Sequence, residues 1–215
     1  MLPGFFLCEL SNRSMKVETI GVIGANEVGR DIAFAALLGG YRVVLEDVSR
    51  EMLEKGIAHI NQSLDERVAR RDLTSQERKS AIARLSIASR VDEVCRVADM
   101  LIETVPDEME VKLELFTIFD KFAKPDAILA SNTTLSITEI ASITFRTEQC
   151  IGMRLVSRSP MMTCVEFVCG ADTSATTVAA CAEMARQIGM EVAIHESPQP
   201  LAACEAPSRG KAHFQ

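Results

Sequence analysis

The sequence predicts an α/β domain: a doubly wound, mostly parallel sheet with helices on both faces. Three observations predict it. The apolar run Thr19-Ile20-Gly21-Val22-Ile23 enters a Gly-x-x-x-x-Gly turn, Gly24 to Gly29, that opens an Ala-rich helix. Short apolar runs then alternate with amphipathic stretches, as expected of buried parallel strands and their crossover helices. An acidic residue, Asp47, stands at the end of the second apolar run.

The elements follow in order. Val17 to Ile23 is the first strand, and Asn26 to Leu38 is a helix stopped by Gly39-Gly40. Tyr41 to Leu45 is a second strand. From Ser49 to about Arg71, Met52, Ile57, Ile60, Leu64 and Val68 recur near helical spacing, with Arg67, Arg70 and Arg71 on the other side. Thr74 caps a further helix, with Glu77 placed for a capping box. Leu85 to Ala88, Met100 to Thr104 and Ala127 to Ser131 are expected as short buried strands, the last two joined by an amphipathic helix from Met109 to Phe122. Ile151 to Val156 and Cys164 to Cys169 are further strands. A helix from Thr176 to Ile188 and a strand from Glu191 to Ile194 complete the pattern. Residues 1–14 are expected as an N-terminal extension, 15–197 as the folded domain, and 198–215 as an irregular tail in which Pro200, Pro207 and Gly210 break any core-forming pattern.

Bulk properties narrow the function. Lys and Arg number 23 against 30 Asp and Glu, a formal charge of −7, and no basic cluster exceeds Arg70-Arg71. A nucleic-acid partner is therefore not expected, and small molecules are. The seven cysteines are odd in number and without a Cys-x-x-Cys pair, which suits buried thiols in a reducing compartment and suggests neither zinc nor a disulfide framework. The apolar start lacks a basic leader and is broken by Pro3-Gly4, and charges interrupt every later apolar run. Neither a signal peptide nor a membrane span is expected, and the location expected is cytoplasmic.

The glycine turn presents backbone N–H groups and a helix N-terminus to a pyrophosphate, a Rossmann-like arrangement for a dinucleotide. The fingerprint Gly-x-Gly-x-x-Gly has Asn26 at its middle glycine. A carboxylate at the end of the second strand accepts both ribose hydroxyls and repels a 2′-phosphate, so Asp47 favours NAD over NADP. Arg50 nearby weakens that preference, and Asp47 also suits the N-cap of the helix beginning near Ser49. Ser131-Asn132-Thr133-Thr134 follows a buried strand and offers hydroxyls and an amide at the sheet edge, or else caps the next helix. Lys112 follows the strand edge at Glu103, where a solvated lysine paired with an acid is the ordinary expectation. His59, His195 and His213 are the only histidines, and none sits at a strand edge with an acid and a hydroxyl to mark it as a base.

Together these motifs resemble the NAD-binding domain of the L-3-hydroxyacyl-CoA dehydrogenases, particularly the 3-hydroxybutyryl-CoA type. The resemblance covers roughly Val17 to Pro198. It is carried by Val22-Ile23-Gly24-Ala25-Asn26-Glu27-Val28-Gly29, Ile102-Glu103 with Lys112 and Leu115-Phe116, Ile128 through Ile140, and Ile151-Gly152-Met153 leading to Val165-Glu166. It implies oxidation of the 3-hydroxyl of an acyl-CoA in fatty-acid metabolism: a histidine takes the hydroxyl proton, a glutamate orients it, and hydride passes to NAD. The glutamate falls on Glu166. Catalytic positions are thus Glu166, Ser131 and Arg154, the last at the family's histidine. Cofactor contacts fall on Gly24, Asn26, Val28, Gly29, Asp47, Asp107 (a glutamate in the family), Lys112, Thr134 and Ser157.

The departures lie where chemistry happens. The family's Gly-Met-His-Phe-Phe-Asn-Pro is here Gly152-Met153-Arg154-Leu155-Val156-Ser157-Arg158. A guanidinium stays protonated and cannot accept a proton, so an ion pair with Glu166 is expected to fill the site. A missing general base costs on the order of 10²–10⁴-fold. Arg154 and Arg158 together offer a second use, as a seat for an acidic group such as a CoA phosphate. The serine-rich turn is one residue short, since Leu135 follows Thr134 directly. Asn26 tolerates positive φ better than most residues, so NAD binding is expected to be weakened without being lost. Where the family continues Glu-x-Pro-Gly-Phe into a helical domain, Ser197-Pro198-Gln199-Pro200 runs into an unrelated tail, so that domain is expected to be absent. Two readings stand: an NAD-binding oxidoreductase domain impaired in catalysis, or a non-enzymatic nucleotide-sensing or subunit-pairing module. Expected partners are NAD(H), acyl-CoA, and a second copy or a separate chain that supplies the helices.

Overall fold

The computed structural model describes residues 15–159 and 162–196, without the side chains of 157–159, 162, 163 and 196. The expected extension (1–14) and tail (198–215), His213, and the side chains of Ser157 and Arg158 lie outside the described residues.

The described residues form one eight-stranded sheet. Its strands are β1 (Thr19–Ile23), β2 (Arg42–Glu46), β3 (Leu85–Ala88), β4 (Met100–Glu103), β5 (Ile128–Ser131), β6 (Cys150–Ser159), β7 (Met162–Cys169) and β8 (Glu191–Glu196). The helices are α1 (Glu27–Leu38), α2 (Arg50–Ala69), α3 (Ser75–Ile82), α4 (Val91–Val97), α5 (Met109–Phe122), α6 (Ile137–Ala141) and α7 (Ala175–Gln187). The spatial order is β3-β2-β1-β4-β5-β6-β7-β8, and every pair is parallel except β6 with β7. The chain reverses its winding between β1 and β4, so the crevice at their carboxyl ends is where such sheets bind ligands.

Side-chain alternation divides the core in two. Ile20, Val22, Leu45, Ile102, Ala130, Met153 and Phe167 face α1, α2 and α7. Leu101, Leu129 and Cys150 face α4, α5 and α6 through Val94, Phe116 and Ile140. The same alternation sends Glu46 of β2, Glu103 of β4, Ser131 of β5, Arg154 of β6 and Glu166 of β7 to the second face, the first three at the carboxyl ends of their strands.

Several boundaries differ from expectation. β3 is no buried strand but a sheet edge, with Ser86 and Ile87 exposed. β6 and β7 extend past the expected limits and pair antiparallel as a hairpin from Ile151↔Cys169 to Ser159↔Met162. The short helices α4 and α6 carry too few turns to show a period, and α4 lacks a side-chain cap. The capping box forms as expected, Thr74 Oγ1 accepting from Glu77 N while Glu77 Oε2 accepts from Thr74 N.

Candidate active site

The glycine turn is built by close packing. Gly24 has φ +102°, and a Cβ at Gly29 would lie 1.9 Å from the Gly24 carbonyl oxygen. Both positions therefore demand glycine. Asn26 does not: its φ is −68°, so the expected use of its tolerance for positive φ is corrected. It is instead the N-cap of α1, with Oδ1 accepting from Gly29 N at 3.0 Å and Nδ2 donating to the Thr104 carbonyl. The N–H groups of Asn26, Glu27 and Val28 make no hydrogen bond with described residues and face outward at the helix N-terminus, which suits a pyrophosphate.

Asp47 closes this turn. Its Oδ2 accepts from Ala25 N and its Oδ1 from Ser49 N, each at 2.8 Å. The N-cap of α2 is Ser49, whose Oγ accepts from Met52 N, and not Asp47. A carboxylate offers about four acceptor positions, so Asp47 keeps capacity for ribose hydroxyls. The residues present thus fit a dinucleotide: amides for the diphosphate, Asp47 for the ribose, and glycines where backbone must approach.

Beside Asp47, Glu46 is 2% exposed; its backbone carbonyl accepts from Gly24 N, but its carboxyl forms no hydrogen bond or ion pair with a described residue. Burial, with Asp47 adding repulsion, raises its carboxyl from 4.5 to about 7. Sequence reading passed over it, although a charge closing the apolar run Val43-Val44-Leu45 was a usable signal.

A second cluster joins the ends of β4 and β5. Lys112 is fully buried, correcting the solvated lysine expected from sequence: its Nζ donates to Glu103 Oε1 at 2.7 Å and to the Asn132 carbonyl at 3.1 Å. Ser131 Oγ also donates to Glu103 Oε1, and Val105 N donates to Glu103 Oε2. Burial raises the Glu103 carboxyl, opposed by the Lys112 charge. Asp107 receives Thr134 N at 2.9 Å and the hydroxyls of Thr133 and Thr134. Burial opposes its ionisation, but these donors outweigh it and hold the carboxyl below its ordinary value. Ser131 and Lys112 are sealed from solvent, so in this arrangement they hold the Asn132–Thr134 turn in place, while Asp107 and Thr134 remain at the surface of the crevice.

The third part lies on the hairpin. Arg154 and Glu166 are directly opposed in the β6–β7 register and so share a face, with Ala193 of β8 on the other side of Glu166. The expected ion pair is not formed. Neither oxygen of Glu166 accepts a hydrogen bond from a described residue; the residue is only 3% exposed, and Oε2 is sealed from solvent. Arg154 is half-buried and pairs with no acid among the described residues. His195 shares this face opposite Val168 on β8, and its Nε2 is sealed without a partner. His59 lies elsewhere, 3.5 Å from Asp31.

Among the described residues no group of His, Cys, Asp and Glu is placed to hold a metal, and no helix is long and apolar enough to cross a membrane. Cys95, Cys150 and Cys181 are buried, and burial raises the first two thiols to about 12 and about 11.

Comparison with known proteins accounts for this geometry. The family model described as "3-hydroxyacyl-CoA dehydrogenase, NAD binding domain" matches residues 19–197. A 3-hydroxybutyryl-CoA dehydrogenase of Bradyrhizobium diazoefficiens is 36% identical over 181 residues, covering 84% of this chain and 61% of the relative. A 3-hydroxyadipyl-CoA dehydrogenase of Escherichia coli is 32% identical over 186 residues, covering 86% of this chain and 39% of the relative. The crystal structure of (S)-3-hydroxybutyryl-CoA dehydrogenase from Ralstonia eutropha superposes with a TM-score of 0.80 at 32% identity, over 85% of this chain and 65% of that one. The chain thus spans less than two thirds of the length of these relatives. From its glycine turn through β8, the chain belongs to the 3-hydroxyacyl-CoA dehydrogenase family and forms its NAD-binding domain.

Proposed function

We propose that the chain is the cofactor-binding part of an NAD-dependent oxidoreductase in cytosolic fatty-acid metabolism, with turnover of 3-hydroxyacyl-CoA impaired. The observation that carries this reading is Arg154 opposite Glu166 in the hairpin register, at the position where the family resemblance puts a histidine. A bound NAD supplies a hydride acceptor. The amides at the start of α1 bind its diphosphate, Asp47 orients its ribose, and the Asp107–Thr134 pair shapes the far side of the crevice. Glu166 is left without the imidazole it would orient, and Arg154 holds a proton that it cannot exchange.

The test is NADH titration followed by acetoacetyl-CoA reduction, with the chain and with Arg154→His. We expect NADH binding in both and a gain of about 10²-fold or more in the variant, the order expected of a restored general base. Turnover in the parent equal to that of Arg154→His would refute impairment. NADH binding without turnover in either would leave a nucleotide-binding module, and loss of NADH binding in both would refute the cofactor role.

A further inference from the structure

The hairpin carries two unmatched groups of opposite chemistry. Arg154 presents five fixed N–H donors and no acceptor, and no described residue pairs with it. Glu166 presents a carboxylate that receives no hydrogen bond from a described residue, and the residue is 3% exposed. A buried carboxylate without donors is costly, and protein interiors rarely leave one so. The two groups start from cross-strand neighbours yet do not satisfy one another.

We propose that Arg154 and Glu166 form a two-point seat for a small free hydroxy acid, whose carboxylate meets the guanidinium and whose hydroxyl donates to Glu166. This rests on the NAD-dependent reading above and names its substrate class. Cross-strand Cβ atoms are ~4.5–5.5 Å apart, so the two side chains start close enough to engage one small ligand. An acyl-CoA thioester has no charge at its carbonyl and so nothing there for a guanidinium to hold. A free acid does, and arginine–carboxylate pairing is bidentate and strong. The chemistry balances: the hydroxyl proton passes to the Glu166 carboxylate, the carbinol hydride leaves to NAD⁺, and the C–O single bond becomes a carbonyl, giving an oxo acid and NADH. Glu166 here acts as the base itself. Glu166 Oε2 is sealed, so Oε1 is the oxygen that meets the hydroxyl; His195 shares the face, and its Nε2 is sealed likewise.

The experiment titrates the full chain by calorimetry, with and without saturating NADH, using racemic 3-hydroxybutyrate, its neutral amide 3-hydroxybutyramide, and coenzyme A. The titrations are repeated on Arg154→Met, Arg154→Lys and Glu166→Gln, with folding checked by circular dichroism. The expected result is acid binding at least tenfold tighter than amide, the difference abolished in Arg154→Met and partly kept in Arg154→Lys. NAD⁺ reduction by the acid should be lost in Glu166→Gln. Equal binding of acid and amide, or undiminished acid binding in Arg154→Met, overturns the proposal. So does coenzyme A binding that depends on Arg154 while the acid does not bind. NADH is titrated separately, so failure of the cofactor reading shows as absent NADH binding, whereas failure of the seat shows as absent discrimination between acid and amide.

Discussion

Replacing Glu46 by Gln is expected to stabilise the domain at high pH and to do progressively less as the pH falls. The carboxyl is 2% exposed, unbonded, and raised from 4.5 to about 7 by burial first and by Asp47 second. Between those two values the folded state holds a proton that the unfolded state has released. Stability therefore falls as pH rises through that window and levels off above about 7. The interval, at ~1.4 kcal/mol per pH unit, amounts to roughly 3 kcal/mol. For a domain of this size that corresponds to a Tm change on the order of 5–10 °C. Cys95 on α4 lies near enough to feel the Glu46 charge, but with its thiol raised from 9.0 to about 12 it is neutral in both folded and unfolded states between pH 4.5 and about 7, so it does not add to the slope there. A buried amide has its own cost, but that cost does not vary with pH. The assay is therefore the Tm difference between Glu46→Gln and the parent at pH 5 and at pH 8.5, in matched ionic strength. A difference independent of pH would refute the reasoning, because it would mean that Glu46 ionises in the folded state as it does in the unfolded one.

Two further perturbations probe the site. Lys112→Met leaves Glu103 buried beside Ser131 without its cation, and should lower stability by roughly 3–5 kcal/mol in urea unfolding, while the double change Glu103→Leu with Lys112→Met recovers much of the loss. A double variant no more stable than the single one would show that the pair contributes more than mutual compensation. Asn26→Gly frees the Gly29 amide that Asn26 Oδ1 now occupies, so NADH should bind more tightly, severalfold by fluorescence titration, against a loss of a few tenths of a kcal/mol from the weaker cap. An unchanged Kd would mean that the asparagine side chain does not compete with the diphosphate.

Much of the fold was legible because it rests on local chemistry. The glycine turn shows in the sequence since Gly24 and Gly29 occupy positions where no side chain fits, and the capping box at Thr74 is written in residues three apart. What sequence reading missed was short or non-local. The helix α4, with seven residues and no side-chain cap, leaves no period to detect. β3 has an apolar composition but lies at an edge, and only its neighbours decide that. Lys112 shows the same limit: nothing in its own segment says that Glu103 and the Asn132 carbonyl, on two other strand ends, enclose its ammonium group.

The sequence by itself determined the nucleotide-binding layout and its departures, Asn26 in the turn and Arg154 on the hairpin, since residue identity fixes which groups can donate, accept or release a proton. Only the tertiary structure decided how those groups are used. Asn26 caps α1 with negative φ, Lys112 is sealed in an ion pair, the Glu46 carboxyl is buried without a partner among the described residues, and Arg154 and Glu166 stand opposed without pairing. The physical reason is that burial and register are properties of the assembled sheet. They set whether a charge is solvated, paired or stranded, and that difference controls both the stability of the domain and the ligand its crevice can take.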